Sequence, residues 1–183
     1  MTTAGWTLFD TAIGRCGIAW SDAGVTGVQF PSPRAAERLA RTAPGGGAVA
    51  PPAPIRDAIR AVGALLRGEA ADLGGIDLDM AGLPEFDRSV YAIARTVPPG
   101  NTTTYGEIAV RLGDRLLARD VGRALGQNPF PIIVPCHRVL AAGGRPGGFS
   151  APGGVATKLR ILAIEGVHLD RQASLFDLPP EPV

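Results

Sequence analysis

The sequence predicts an α+β fold: a small N-terminal antiparallel-sheet and helix domain, followed by a mostly helical, winged-helix-like C-terminal domain containing a helix-turn-helix. Three observations predict it. Residues 6–30 alternate apolar with small or polar residues around Gly14, Gly17, Gly24 and Gly27, the pattern of short strands joined by turns. Several later stretches carry apolar residues at helical spacing. Between the two patterns, Leu83-Pro84 marks a change in character, which divides the chain into 1–83, 84–169 and a proline-rich, disordered tail over 170–183.

Each element has its own signal. Pro31 to Pro33 ends the strand region, and residues 34–41 read as a short helix. Thr42 to Pro54 is rich in Ala, Pro and Gly and reads as a loop. Ile55, Ile59, Val62 and Leu66 predict a helix over 55–66 that Gly68 stops. Leu73 to Leu83 reads as another strand and a connection. Phe86, Val90, Ile93 and Val97 predict a helix terminated by Pro98-Pro99-Gly100. Thr104-Tyr105-Gly106-Glu107 has the form of a capping box, opening a helix through Leu112. After Gly113 a second helix, 116–127, turns Ala118, Val121, Gly122 and Leu125 inward and Arg119 and Arg123 outward. Two short helices around a glycine turn make a helix-turn-helix candidate, although many helical hairpins share the pattern. A last helix is predicted over 155–164, with Glu165 at its end.

Composition narrows the function class. The 183 residues carry a formal net charge of +1, which by itself argues neither for nor against nucleic acid. The distribution is less neutral: residues 86–168 hold ten Lys/Arg against five Asp/Glu. A polyanion partner requires such a basic half, and a solvated arginine-rich surface produces the same count. Cys16 and Cys136 lie too far apart for a disulfide framework, and no cluster has zinc-ligand spacing. No run predicts a signal peptide or a membrane span, so a cytoplasmic protein with free thiols is expected.

Chemistry concentrates at Pro135-Cys136-His137-Arg138-Val139. A thiol becomes a strong nucleophile on losing its proton, and an imidazole commonly removes it. Adjacent side chains tend to diverge, so a water bridging Cys136 and His137 is the easier geometry. A carboxylate should then hold the imidazole in the right tautomer. Glu165 is the best candidate, being the only acid between Cys136 and Asp170. On the residues alone, an ordinary surface role at a helix end explains it slightly better.

These residues resemble the O6-alkylguanine-DNA alkyltransferases, also called methylated-DNA–protein-cysteine methyltransferases. Tyr105-Gly106, Arg119 with Val121-Gly122, Asn128-Pro129, the cysteine segment and Glu165-Gly166 occur in that family's order over about residues 84–168. The resemblance implies a ribonuclease H-like supporting domain over 1–83 and a DNA-binding, alkyl-acceptor domain over 84–169. Cys136 would accept the alkyl group irreversibly, activated by His137, a water and Glu165. Tyr105 would help turn the nucleotide out and bond the flipped base. Arg119 would be the finger inserted into the duplex, with Arg123 also facing DNA. The carbonyls of Cys136 and Val139 would accept from the guanine amine, with Ser150 beside O6. Asn128 would tie the helix-turn-helix to the cysteine loop, and Arg138 would be structural. The implied partner is double-stranded DNA bearing alkylated guanine, met through its minor groove by a monomer without cofactor or metal. Asp120, Tyr91, Phe149 and a two-residue extension in Phe149–Gly154 depart from the family's usual residues. A lesion-binding sensor that transfers nothing, and a multiple-turnover cysteine hydrolase, are the alternatives.

Overall fold

A computed structural model describes residues 4–43 and 46–169. Its elements are α+β, with a strand-rich first part and a mostly helical second part, as expected. Strands β1 (Gly5–Thr11), β2 (Gly14–Ser21) and β3 (Gly24–Gln29) form an antiparallel meander. The β1–β2 turn closes through the Thr11 hydroxyl, which donates to Gly14 O at 2.7 Å. Helix α1 (Ala35–Thr42) packs on this sheet, pinned by the fully buried Leu39. At Gly17 a Cβ would come within 2.3 Å of Leu39 Cδ1, so glycine is needed there for the helix to approach.

Three expectations need correction. The 42–54 loop contains a short strand, β4 (Gly47–Ala48), parallel to β1. The strand expected in Leu73–Leu83 is a single bridge, Leu78 to Val25. Aspartates interrupt it. Asp72 accepts from Gly74 N, and Asp79 accepts from Ala81 N and the Ser21 hydroxyl. Such side-chain bonds favour turns over a continuing ladder. The second helix of the glycine-turn pair is also shorter than expected, because residues Arg115–Leu117 form a 3₁₀ turn capped by Asp114.

The remaining helices are α2 (Ala53–Leu66), α3 (Glu85–Arg95), α4 (Tyr105–Arg111), α5 (Ala118–Gly126) and α6 (Gly154–Ile164). The capping box at the start of α4 is complete: Glu107 N donates to Thr104 Oγ1, and Thr104 N donates to Glu107 Oε2. Just before it, β5 (Thr103–Thr104) pairs in parallel with β6 (Val139–Leu140). That pairing joins segments 36 residues apart and brings the start of α4 beside the cysteine segment. The main core runs through both halves, from Trp20, Val28 and Leu66 to Tyr91, Val121 and Ile161. The tail over 170–183 lies outside the described residues. Among the described residues no helix is long and apolar enough to cross a membrane.

Candidate active site

The cysteine enters its site from a tightly held loop. Asn128 brackets that loop, accepting from Phe130 N at 2.9 Å and donating through Nδ2 to Val134 O at 3.0 Å. Inside it, Ile132 has φ +76°, a strained conformation for a buried β-branched residue. Residues Cys136–Arg138 then form a 3₁₀ turn, which sends adjacent side chains in different directions. Cys136 reaches the floor of an open cavity of about 640 Å³, lined also by Tyr105, Asn128, Pro131, Phe149 and Ser150. This is ample for one nucleobase. The sulfur's residue is only 8% exposed, so access is through the cavity.

Behind the sulfur lies a buried relay. His137 is fully buried, and its Nε2 lies 2.9 Å from Glu165 Oε1. Arg138 clamps the same carboxylate through Nε at 3.0 Å and Nη2 at 2.8 Å, and donates through Nη1 to Val97 O at 2.7 Å. Burial opposes the Glu165 charge, but hydrogen bonds from His137 and Arg138 outweigh it and hold the carboxyl at about 2. Glu165 is therefore ionised at neutral pH. Burial pushes the His137 pKa below its ordinary value despite Glu165, so the ring is neutral. An anionic acceptor at Nε2 requires that nitrogen to carry the proton. Nδ1 is left as a bare base, with no protein hydrogen-bond partner among the described residues.

A buried lysine that the motifs did not reveal completes the site. Lys158 is fully buried, donates to Val139 O at 2.5 Å, and lies 5.9 Å from the ring centroids of Tyr105 and Phe149. Burial lowers its pKa from 10.5 to about 8, with the Cys136 charge opposing. Burial likewise raises the Cys136 thiol, while the Asn128 side chain, the Lys158 charge and backbone N–H groups pull it down. Burial, and then the Cys136 charge, raise the Tyr105 pKa, so its hydroxyl keeps its proton. A signal for Lys158 did exist. It is the only lysine in the chain, and it shares one helical stripe with the buried Ile161 and Leu162 and with Glu165.

The other expected site residues are placed as follows. Tyr105 opens α4 and lines the cavity, with Gly147 close enough that a Cβ would lie 3.3 Å from its hydroxyl. The Val139 carbonyl, expected to meet guanine, already accepts from Lys158, leaving one lone pair. Ser150 lines the cavity but donates its hydroxyl to Gly126 O at 2.7 Å, so it reaches a base only by releasing that bond. Arg119 and Arg123 are both exposed on α5, one turn apart and away from the relay. Arg123 lies 3.3 Å from Asp120, so the departing acid pairs on its own helix. Among the described residues no cluster of His, Cys, Asp or Glu is suited to a metal.

The chain is similar to known proteins along most of its length. Residues 85–167 match the model of the 6-O-methylguanine DNA methyltransferase DNA-binding domain. A methylated-DNA–protein-cysteine methyltransferase of Methanothermobacter thermautotrophicus is 35% identical over 156 residues, covering 85% of this chain and 82% of that protein. The chain belongs to the methylated-DNA–protein-cysteine methyltransferase family. Another member, from Mycolicibacterium paratuberculosis, is 41% identical over 126 residues, covering 69% of this chain and 74% of that one. A crystal structure of the Mycobacterium tuberculosis OGT in complex with DNA superposes with a TM-score of 0.72 at 31% identity, covering 88% of this chain and 92% of that one. Family membership therefore extends beyond the cysteine motif to the N-terminal sheet.

Proposed function

We propose that this protein repairs alkylated DNA by moving the alkyl group of an everted O6-alkylguanine onto its own Cys136. The observation that carries the reading is a thiol on the floor of a cavity with room for a nucleobase, followed in sequence by an imidazole with one bare nitrogen, anchored by Glu165. The target atom is inaccessible inside a stacked duplex, so the nucleotide must leave the helix at a cost of a few kcal/mol. Helices α4 and α5 act as a helix-turn-helix in the minor groove. Arg119 fills the gap left by the base, and Arg123 faces the backbone. Tyr105 presses on the nucleotide and bonds the flipped base, Val139 and Ser150 border it, and Asn128 couples α5 to the cysteine loop.

The transfer balances as follows. His137 Nδ1 takes the Cys136 proton through a bridging water, giving a thiolate and an imidazolium. Glu165 stabilises that imidazolium, and Lys158 stabilises the thiolate. The sulfur attacks the alkyl carbon in line. The S–C bond forms, the C–O6 bond breaks, and its electron pair goes to the guanine. Tyr105 protonates the ring edge of the leaving base and takes back through solvent the proton that the His137 imidazolium releases, so the thiol proton ends on the guanine and both side chains are neutral again. A thioether resists hydrolysis, so each molecule acts once, without cofactor. Two free thiols fit a reducing cytoplasm. The protein works as a monomer.

The test is incubation with a duplex oligonucleotide bearing O6-methylguanine, followed by peptide mass analysis. One methyl on the Cys136 peptide, one equivalent per molecule, and none in Cys136→Ala support transfer. Continued turnover would indicate a hydrolase. Tight binding without a methylated peptide would indicate a sensor.

A further inference from the structure

Residues 170–183 have no task in the transfer reaction, and their chemistry is specific. Three large apolar side chains, Leu175, Phe176 and Leu178, fall close together. A primary amide, Gln172, precedes the Leu-Phe pair, and Pro179-Pro180 closes the group. Proline stops a helix or a ladder there, and the stretch is too short to form a helix alone. So dense an apolar group needs a surface to cover it. Nucleic acid does not supply that surface. Residues 170–183 carry three acids against one arginine, whereas residues 86–168 hold ten Lys/Arg against five Asp/Glu. Phosphates repel an acidic segment. The fitting surface is a protein, with an apolar groove for Leu175 and Phe176 and a hydrogen-bonding edge for the Gln172 amide.

The fold sets where the segment departs. Helix α6 starts just after Phe149, Ser150, Ala151 and Pro152, which border the cavity, and carries the chain about 15 Å along its axis. Its far end packs near Gly68 and Gly100, where a Cβ would lie 3.3 Å from the carbonyls of Ile164 and Glu165. From Leu169, Phe176 is at most about 24 Å further on. The apolar group is thus tethered at the end of α6 remote from the cavity. Among the described residues the exposed large apolar side chains are Val49, Val110, Leu116 and Leu159, each on a different segment, so the body itself supplies little apolar cover. The substrate narrows the partner further. A protein that acts once per lesion gains from being held on duplex DNA, provided its holder leaves the minor groove and the everted base free. A ring that encircles the duplex and slides along it meets both conditions. Tethering to it raises the effective concentration at each lesion.

We propose that residues 172–178 dock this protein on a ring-shaped sliding clamp that encircles duplex DNA, Leu175 and Phe176 filling an apolar groove of the clamp and Gln172 bonding at its edge. The choice of partner rests on the reading of duplex DNA as the substrate. The probe is the purified replicative sliding clamp of the same organism, titrated calorimetrically with wild-type protein, with the double variant Leu175→Ala/Phe176→Ala and with Gln172→Ala. Micromolar binding is expected, weakened about tenfold or more by the double substitution and several-fold by Gln172→Ala. Methyl transfer from a short naked duplex should be equal in all three proteins, because the chemistry uses none of these residues. With the clamp loaded on a circular duplex bearing O6-methylguanine, wild-type protein at limiting concentration should transfer several-fold faster than the double variant. No binding to the clamp, or binding that the double substitution leaves unchanged, would overturn the proposal. Hydrogen exchange in which the double substitution deprotects α4 around Val110 without any clamp present would also overturn it, making the segment a cover for this protein's own surface. Wild-type protein that binds the clamp but never methylates Cys136 from any duplex would overturn the underlying reading instead.

Discussion

The relay behind Cys136 and the outer face of α5 both carry charge, but they obey different physics. In the relay, Glu165, His137, Arg138 and Lys158 are nearly or fully buried, and their neighbours decide each protonation state. On α5, Arg119, Asp120 and Arg123 face solvent, where water and salt screen them. Disturbing the first region should therefore change folding, pH dependence and chemistry together. Disturbing the second should change encounter with a polyanion and leave the fold intact.

The largest effect should come from Glu165→Gln. It removes the anion that Arg138 and His137 share, and breaking a buried pair costs about 3–5 kcal/mol, read as a loss in denaturant midpoint. The transfer rate should fall at least about 100-fold, since imidazole loses both its anchor and the charge that stabilises its protonated form. The pH dependence has a defined sign. The Glu165 carboxyl titrates at about 2 in the fold and near 4.5 ordinarily. Its contribution is complete above about pH 4.5 and disappears as pH falls toward 2. Wild-type protein should lose roughly 3 kcal/mol more than Glu165→Gln across that window. Parallel acid titrations of the two would expose an error in the assigned network.

Next is Lys158→Met. With a pKa held at about 8 rather than 10.5, Lys158 is destabilising below pH 8, because the unfolded chain keeps its proton more tightly. Wild-type stability, relative to the methionine variant, should rise between pH 8 and 10.5 by on the order of 2–3 kcal/mol. The thiol should move the other way. Without its cation, Cys136 should ionise at higher pH, seen in the pH profile of alkylation by iodoacetamide. An unchanged profile would remove Lys158 from the chemistry and leave it a structural donor to Val139.

Smaller effects belong to α5. Arg119→Ala should lower repair of duplex about 10–100-fold relative to reaction with the free base, since only the duplex has a stack to refill. Equal losses would contradict the finger role. Asp120→Ala should be the mildest, raising duplex affinity about two- to fivefold by freeing Arg123 and removing an acid near phosphate. Unchanged affinity would place Asp120 away from the DNA.

The legibility of the molecule follows the same division. Arg119 and Arg123 could be placed on an outer helix face from spacing alone, because α5 is a local element. The capping box of Thr104 and Glu107 was legible for the same reason, with all its partners within four residues. Cys136 and His137 stood out as neighbours in a chain with two of each. Glu165 could be nominated by elimination, but its bidentate clamp by Arg138 depends on a fold contact 27 residues away. Lys158 was missed because a lysine on a surface helix and one beneath two aromatic rings look alike until the rings are brought together. The short β5–β6 pairing was missed because two-residue strands have no periodicity to detect. The apolar pattern of Leu73–Leu83 suggests a strand that does not form, because aspartate turn bonds compete with the ladder.

The amino-acid sequence by itself determined the α+β class, the capping box of α4, the adjacent Cys136 and His137 and the basic bias of residues 86–168. These depend on local backbone preference and on residue identity. Only the tertiary structure decided that Glu165 is ionised, that His137 presents a bare Nδ1, and that Lys158 is buried against Val139, Tyr105 and Phe149. Protonation and exposure depend on the dielectric and charges around a group, and those arise when distant segments pack.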